Sequence, residues 1–171
     1  MKNLIKFLIS LFVVYAMLTL FNSCRSENDE TPTSHTPKNY TEITLEHIKA
    51  KESTMVSTEI TASNSSGLVL KTDDVLVFKT SENRYGKLQI ISIDPIDNYK
   101  LTIRIYLFAN DGSNYLSTNS LEIHGTYLCD LDIIAEMSDE MPSVDFHWNR
   151  LTVSDTKLTP KNNAKFMKYP F

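Results

Sequence analysis

The sequence predicts an all-β domain, an antiparallel β-sandwich with a small β-barrel as the alternative. Three observations carry this. Tyr99 to Phe108 alternates, with Tyr99, Leu101, Ile103, Ile105 and Leu107 on one face and Lys100, Thr102 and Arg104 on the other. Such alternation is the pattern of a strand with one buried and one solvated face. Eight or nine short apolar runs follow one another at close spacing, as in sandwiches and barrels. Turn residues separate them, as in Asn110-Asp111-Gly112-Ser113, where Asp-Gly tolerates positive φ in a hairpin.

Taken in order, Thr41 to Glu52 contains helix formers with Ile43, Leu45 and Ile48 at inward positions, or else begins the first strand. Thr54 to Ala62 and Leu68 to Lys71 read as short strands. Val75 to Thr80 and Tyr85 to Ile93 flank the four-residue loop Ser81-Glu82-Asn83-Arg84, a hairpin. The apolar phase slips at Ile90-Ile91, which predicts a bulge or a strand changing sheets. Further strands are expected at Leu121 to Leu128, Val144 to Trp148, Leu151 to Ser154 and Ala164 to Tyr169. Asp130 to Glu140 holds at most one helical turn before Pro142.

Ahead of this domain the chain has a different character. Lys2 and Lys6 lead into an apolar run from Phe7 to Phe21, which ends at Asn22-Ser23-Cys24. The run has about 15 residues, short of the roughly 20 that a membrane-spanning helix needs. Positive start, short apolar centre and a small residue beside the cut are the parts of a secretory signal. Residues 25–39 contain no aliphatic or aromatic side chain and carry Pro32 and Pro37. They cannot bury enough apolar surface to offset ordering, so a disordered tether is expected, with an r.m.s. span of roughly 20 Å. The expected division is 1–23 signal peptide, 24–39 cysteine and tether, and 40–171 a single β-domain.

The junction at Cys24 resembles a bacterial lipoprotein signal, cut before a cysteine that then carries lipid. Phe21 stands where that family usually has leucine. The resemblance implies a diacylglyceryl thioether on Cys24 and, usually, a further acyl chain such as palmitate. Two or more chains hold a protein stably on a membrane, whereas one binds reversibly. Glu27, Asp29 and Glu30 resemble the acidic surface-export signal of Bacteroidota lipoproteins, which implies the outer membrane and the cell surface. A solvated acidic tether accounts for the same residues. Residues 75–94, VLVFKTSENRYGKLQIISID, and residues 158–166, LTPKNNAKF, resemble segments of uncharacterised lipoproteins of that phylum, and no activity comes with that resemblance.

Composition excludes some partners. Residues 1–23 carry two lysines and no acid, so the remaining 148 residues hold 15 basic and 21 acidic side chains. That balance argues against nucleic acid. With Cys24 lipidated, Cys129 has no cysteine partner and reads as a small buried hydrophobe. No G-x-S-x-G, H-E-x-x-H or P-loop is present, and no catalytic residue is assigned.

Asp130 and Asp132, two apart, together with Asp145 form the oxygen set that calcium would need. Solvated strand ends account for the same three residues, so neither metal nor cofactor is assigned. His124 and His147 would make a zinc pair only on one face with a third ligand. Tyr106, Tyr115 and Trp148 are the candidates for stacking on a sugar ring. The alternation Val144, Phe146, Trp148 instead turns Trp148 into the core. The expected function is a non-catalytic binding module for a glycan or a protein, held on the membrane through Cys24. A structural component of a surface complex is the alternative, and a hydrolase using paired carboxylates comes third. An exposed aromatic groove would favour a glycan; a large flat apolar patch or an unprotected edge strand would favour a protein partner or assembly.

Overall fold

In the computed structural model, residues 36–61, 70–150 and 156–171 are described. Among the described residues ten strands form: β1 (Ile60–Thr61), β2 (Val75–Lys79), β3 (Tyr85–Asp94), β4 (Lys100–Phe108), β5 (Asn114–Ile123), β6 (Leu128–Asp130), β7 (Ala135–Met137), β8 (Phe146–Arg150), β9 (Thr156–Pro160) and β10 (Lys165–Lys168). They make two five-stranded antiparallel sheets, ordered β10-β2-β3-β4-β5 and β1-β9-β8-β6-β7. Neither sheet closes on itself, so the expected sandwich forms and the barrel does not.

The core lies between the sheets. Leu101, Ile103, Ile105 and Leu107 of β4 point inward against Phe146, Trp148 and Leu158 of the facing sheet. Leu76 and Phe78 of β2 and Leu88 and Ile90 of β3 join them. The phase slip at Ile90-Ile91 is a bulge, because the β3–β4 register shifts between Ile90 and Ser92. Trp148 is wholly buried and its indole N–H donates to the carbonyl of Tyr99 at 2.6 Å. That bond satisfies the polar handle which a buried tryptophan carries.

The outer face of the first sheet is covered in part over β2, β3 and β4, where the alternation of β4 suggested a solvated face. A short helix, α1 (Leu45–Lys49), and 3₁₀ turns at Tyr40–Glu42 and Glu52–Thr54 accompany this face. Thr44 caps α1 by accepting the N–H of His47. Ile43, Leu45, Ile48 and Met55 pack on Val75, Val77 and Phe108, forming a second apolar cluster. This explains why Val75 to Phe78 is apolar without alternation: β2 is buried on both faces. Lys87 rises from β3 into the same layer and is buried. Its ammonium donates to the carbonyls of Tyr40 at 2.8 Å and Ile43 at 2.7 Å.

Some elements differ from expectation. Leu121 to Leu128 is not one strand; it is the end of β5, a turn, and the start of β6. Within its described part, the segment from Thr54 to Ala62 is not one strand: Thr54 ends a 3₁₀ turn, Val56 makes an isolated bridge to Phe166 of β10, and Ile60–Thr61 form β1. Leu151 to Ser154 lies outside the described residues.

Candidate functional site

A group of buried ionisable side chains lies where one end of the first sheet meets the second. Asp130 closes β6, and its Oδ1 accepts the backbone N–H of Asp132 at 3.0 Å and of Ile133 at 3.4 Å. An aspartate that captures N–H groups two and three residues on is a turn former. Here it reverses the chain from β6 into β7. Asp145 directly precedes β8. Its Oδ2 accepts the N–H of Leu131 at 2.8 Å, and its Oδ1 accepts the N–H of Ser81 at 2.6 Å. Ser81 belongs to the β2–β3 turn of the opposite sheet, so Asp145 joins the two layers. Asp132 Oδ1 accepts the Thr80 hydroxyl at 3.1 Å and the Arg84 guanidinium at 2.8 Å. The same guanidinium pairs with Glu82 at 2.7 Å.

All three aspartates are buried, and one oxygen from each lies within 4.8 Å of the others. Among the described residues they are the one group of three that can hold a metal ion. The solvated strand ends expected from sequence are therefore not what forms. Burial opposes ionisation. It pushes Asp145 up to about 7 against the lowering effect of its two N–H donors, with Asp132 adding repulsion. Burial also raises Asp132, although Arg84 and Thr80 pull the other way. Asp132 Oδ2 is buried and has no hydrogen-bond partner.

The aromatic candidates do not share a surface. Trp148 is in the core and presents no face to a ligand. Tyr106 lies half-buried under the N-terminal layer, with the Phe108 ring at 4.7 Å and the Lys87 ammonium at 5.3 Å. Tyr115 is 51% exposed on β5, with the Arg84 guanidinium 4.7 Å from its ring centre. The histidines do not make a zinc pair. His124 Nδ1 sits 2.9 Å from Glu136, and His147 Nε2 sits 3.1 Å from the Thr126 carbonyl oxygen.

Strand β5 is the feature that sequence reading passed over. Among the described residues it is a sheet edge, bonded only to β4, and most of its ten residues are exposed. From Asn114 to Leu121 it carries no charge and no proline. Two register shifts against β4, flanking Leu116–Thr118, divide the edge. The other edges are guarded: β1 and β7 are two and three residues long, and β10 carries Lys165 and Lys168. The available signal was the uncharged stretch itself, which shows no apolar period because its residues from Asn114 to Ser120 are mostly exposed; the strand reaches the core at Leu121 and Ile123.

Comparison with known proteins finds no matching family model, no similar curated protein and no similar solved structure. The functional reading rests on the chain's own residues. Cys24, Glu27, Asp29 and Glu30 lie outside the described residues.

Proposed function

We propose that the chain is a lipid-anchored outer-membrane protein that displays its β-sandwich at the cell surface as a non-catalytic module for binding a protein partner. The anchor reading is supported by Lys2, Lys6, the apolar run and Cys24. Among the described residues no helix is long and apolar enough to cross a membrane.

The observation that favours a protein over a glycan is β5. Its uncharged edge offers main-chain donors and acceptors for strand addition. Beside them stand Tyr115, Leu116 and the Arg84 stacked on Tyr115. Tyrosine and arginine dominate the energetic centres of protein interfaces. The bulges limit pairing to short segments, so these side chains supply the rest of the contact. A sugar platform has less support, because the three candidate rings face three different environments.

Three experiments test this reading. A photo-crosslinking amino acid at position 115 or 117, in intact cells, is expected to give one discrete protein adduct. The same probe at Asp139, exposed outside β5, is expected to give none. Leu116→Lys with Thr118→Lys should abolish the adduct. An adduct of twice the chain's mass would turn the reading toward self-assembly, and adducts independent of position would end it. For the anchor, Cys24→Ala should abolish palmitate labelling; unchanged labelling would refute lipidation. Replacing Glu27, Asp29 and Glu30 together should retain the lipid and reduce protease access on whole cells.

A further inference from the structure

We propose that Asp130, Asp132 and Asp145 bind one hard divalent cation of calcium size where the two sheets meet. This is independent of the β5 reading: it concerns a ligand of the fold, not a partner of its edge.

The first support is geometric. The three carboxylates each offer an oxygen, all within 4.8 Å of one another. Calcium–oxygen bonds of 2.3–2.6 Å place opposite ligands about 5 Å apart, so one such ion can reach all three oxygens. Magnesium, at 2.0–2.1 Å, needs opposite oxygens drawn to about 4 Å.

The second support is separate from the clustering. Asp132 has a side chain only 3% exposed, and its Oδ2 is sealed from solvent with no donor. A buried carboxylate oxygen without a donor is strongly unfavourable. The hydrogen bonds given to the cluster go to other oxygens. Arg84 and Thr80 point at Oδ1 of the same residue. The N–H groups of Ser81 and Leu131 serve Asp145, and those of Asp132 and Ile133 serve Asp130.

Charge gives the class of ligand. Arg84 is shared between Asp132 and Glu82, so the three carboxylates, when ionised, carry an excess of negative charge that a dication offsets. The donor set is all oxygen, without sulfur or imidazole, which suits calcium and not zinc or copper. The ion would tie the β6–β7 turn to the start of β8, beside the β2–β3 turn that Asp145 already holds.

The test uses the full-length protein purified in detergent, stripped with EDTA and titrated with calcium chloride. Calorimetry is expected to show saturable binding of one ion, with a dissociation constant on the order of 10⁻⁴–10⁻³ M, the range of extracellular calcium modules. The melting temperature should rise with calcium, and rise less with equal magnesium. Asp132→Asn and Asp130→Asn, checked for folding by circular dichroism, should each weaken calcium binding at least tenfold. Absence of heat and of any melting shift up to about 10 mM calcium would overturn the proposal. So would a calcium response in the folded variants equal to that of the unsubstituted protein. If neither variant folds, manganese added to the unsubstituted protein decides the matter by NMR. Broadening centred on the amides of Leu131 and Ile133 supports the site; broadening elsewhere overturns it.

Discussion

The Lys87 ammonium donates to the carbonyl oxygen of Ile43 at 2.7 Å, pinning the N-terminal layer to the outer face of β3. The rings of Tyr40, Tyr106 and Phe108 surround it at 4.7, 5.3 and 5.5 Å. Burial pushes Lys87 down to about 8, and the charge of Arg104 adds to this. In the unfolded chain a lysine titrates near 10.4. Between these values the unfolded state holds more protons than the folded one, so stability rises with pH. Denaturant melts from pH 8 to 10 are expected to show that rise, by roughly 3 kcal/mol at most. Lys87→Met should remove the rise and cost about 1–3 kcal/mol at pH 7, because buried carbonyls lose their donor. A rise that persists in Lys87→Met would assign it to another group.

Adjacent residues on β4 give a second contrast. Ile103 is wholly buried between the sheets, so Ile103→Ala should cost about 2–5 kcal/mol. From alternation alone Arg104→Ala would cost within about 0.5 kcal/mol, as at an ordinary surface site. The N-terminal layer changes that expectation. The Arg104 guanidinium lies 4.1 Å from the centre of the Tyr40 ring, and its Nε is buried without a partner. Loss of the stacking costs stability, while loss of the charge relieves Lys87. Arg104→Met is therefore expected to cost less than Ile103→Ala and to shift the alkaline rise to higher pH. Melts of both variants across pH 8–10 check the two effects together.

These residues also show what was legible beforehand. The inward face of β4 could be read because a two-residue period follows directly from a core on one side. The bulge at Ile90-Ile91 could be read for the same reason, as a break in that period. The cover over Arg104 could not, since it depends on residues 40–55 returning to a sheet that begins at Val75. The same limit hid the carboxylate cluster's surroundings. Asp132 meets Thr80 and Arg84 across 52 and 48 residues, a separation that no local spacing encodes. The first part of β5, Asn114 to Ser120, was not legible because a segment exposed on both faces has no apolar phase.

Cys129 is a free thiol on β6, wholly buried, and burial raises it well above the ordinary thiol range. Asp145, Asp130 and Glu136 add repulsion against a thiolate. A thiol held protonated and out of solvent reacts slowly. Native protein should label slowly with a thiol reagent, and denatured protein quickly. Cys129→Ser should destabilise by about 1–3 kcal/mol, since the hydroxyl is buried without an assured partner. Fast labelling of the folded protein would place the residue at the surface.

Gly86 gives the sharpest steric prediction. It sits on β3 opposite Phe78 of β2 and Leu107 of β4. A Cβ at this position would lie 2.3 Å from Phe78 Cζ and 2.9 Å from the Tyr106 carbonyl oxygen. The glycine is needed for space, because the Phe78 ring lies across its backbone. That ring is itself held by Phe166 of β10, with centroids 5.8 Å apart. Phe78 is wholly buried, so it cannot swing into solvent to make room. Gly86→Ala is accordingly expected to cost about 1–3 kcal/mol, the usual range for overpacking. Phe78→Leu alone should also destabilise, by opening a void. Combined, the added methyl occupies part of the space the ring gives up, so the double variant should be more stable than the two separate losses predict. A denaturant double-mutant cycle measures this directly. If the two losses simply add, the ring is not what excludes a side chain from position 86, and the backbone of Tyr106 becomes the obstacle.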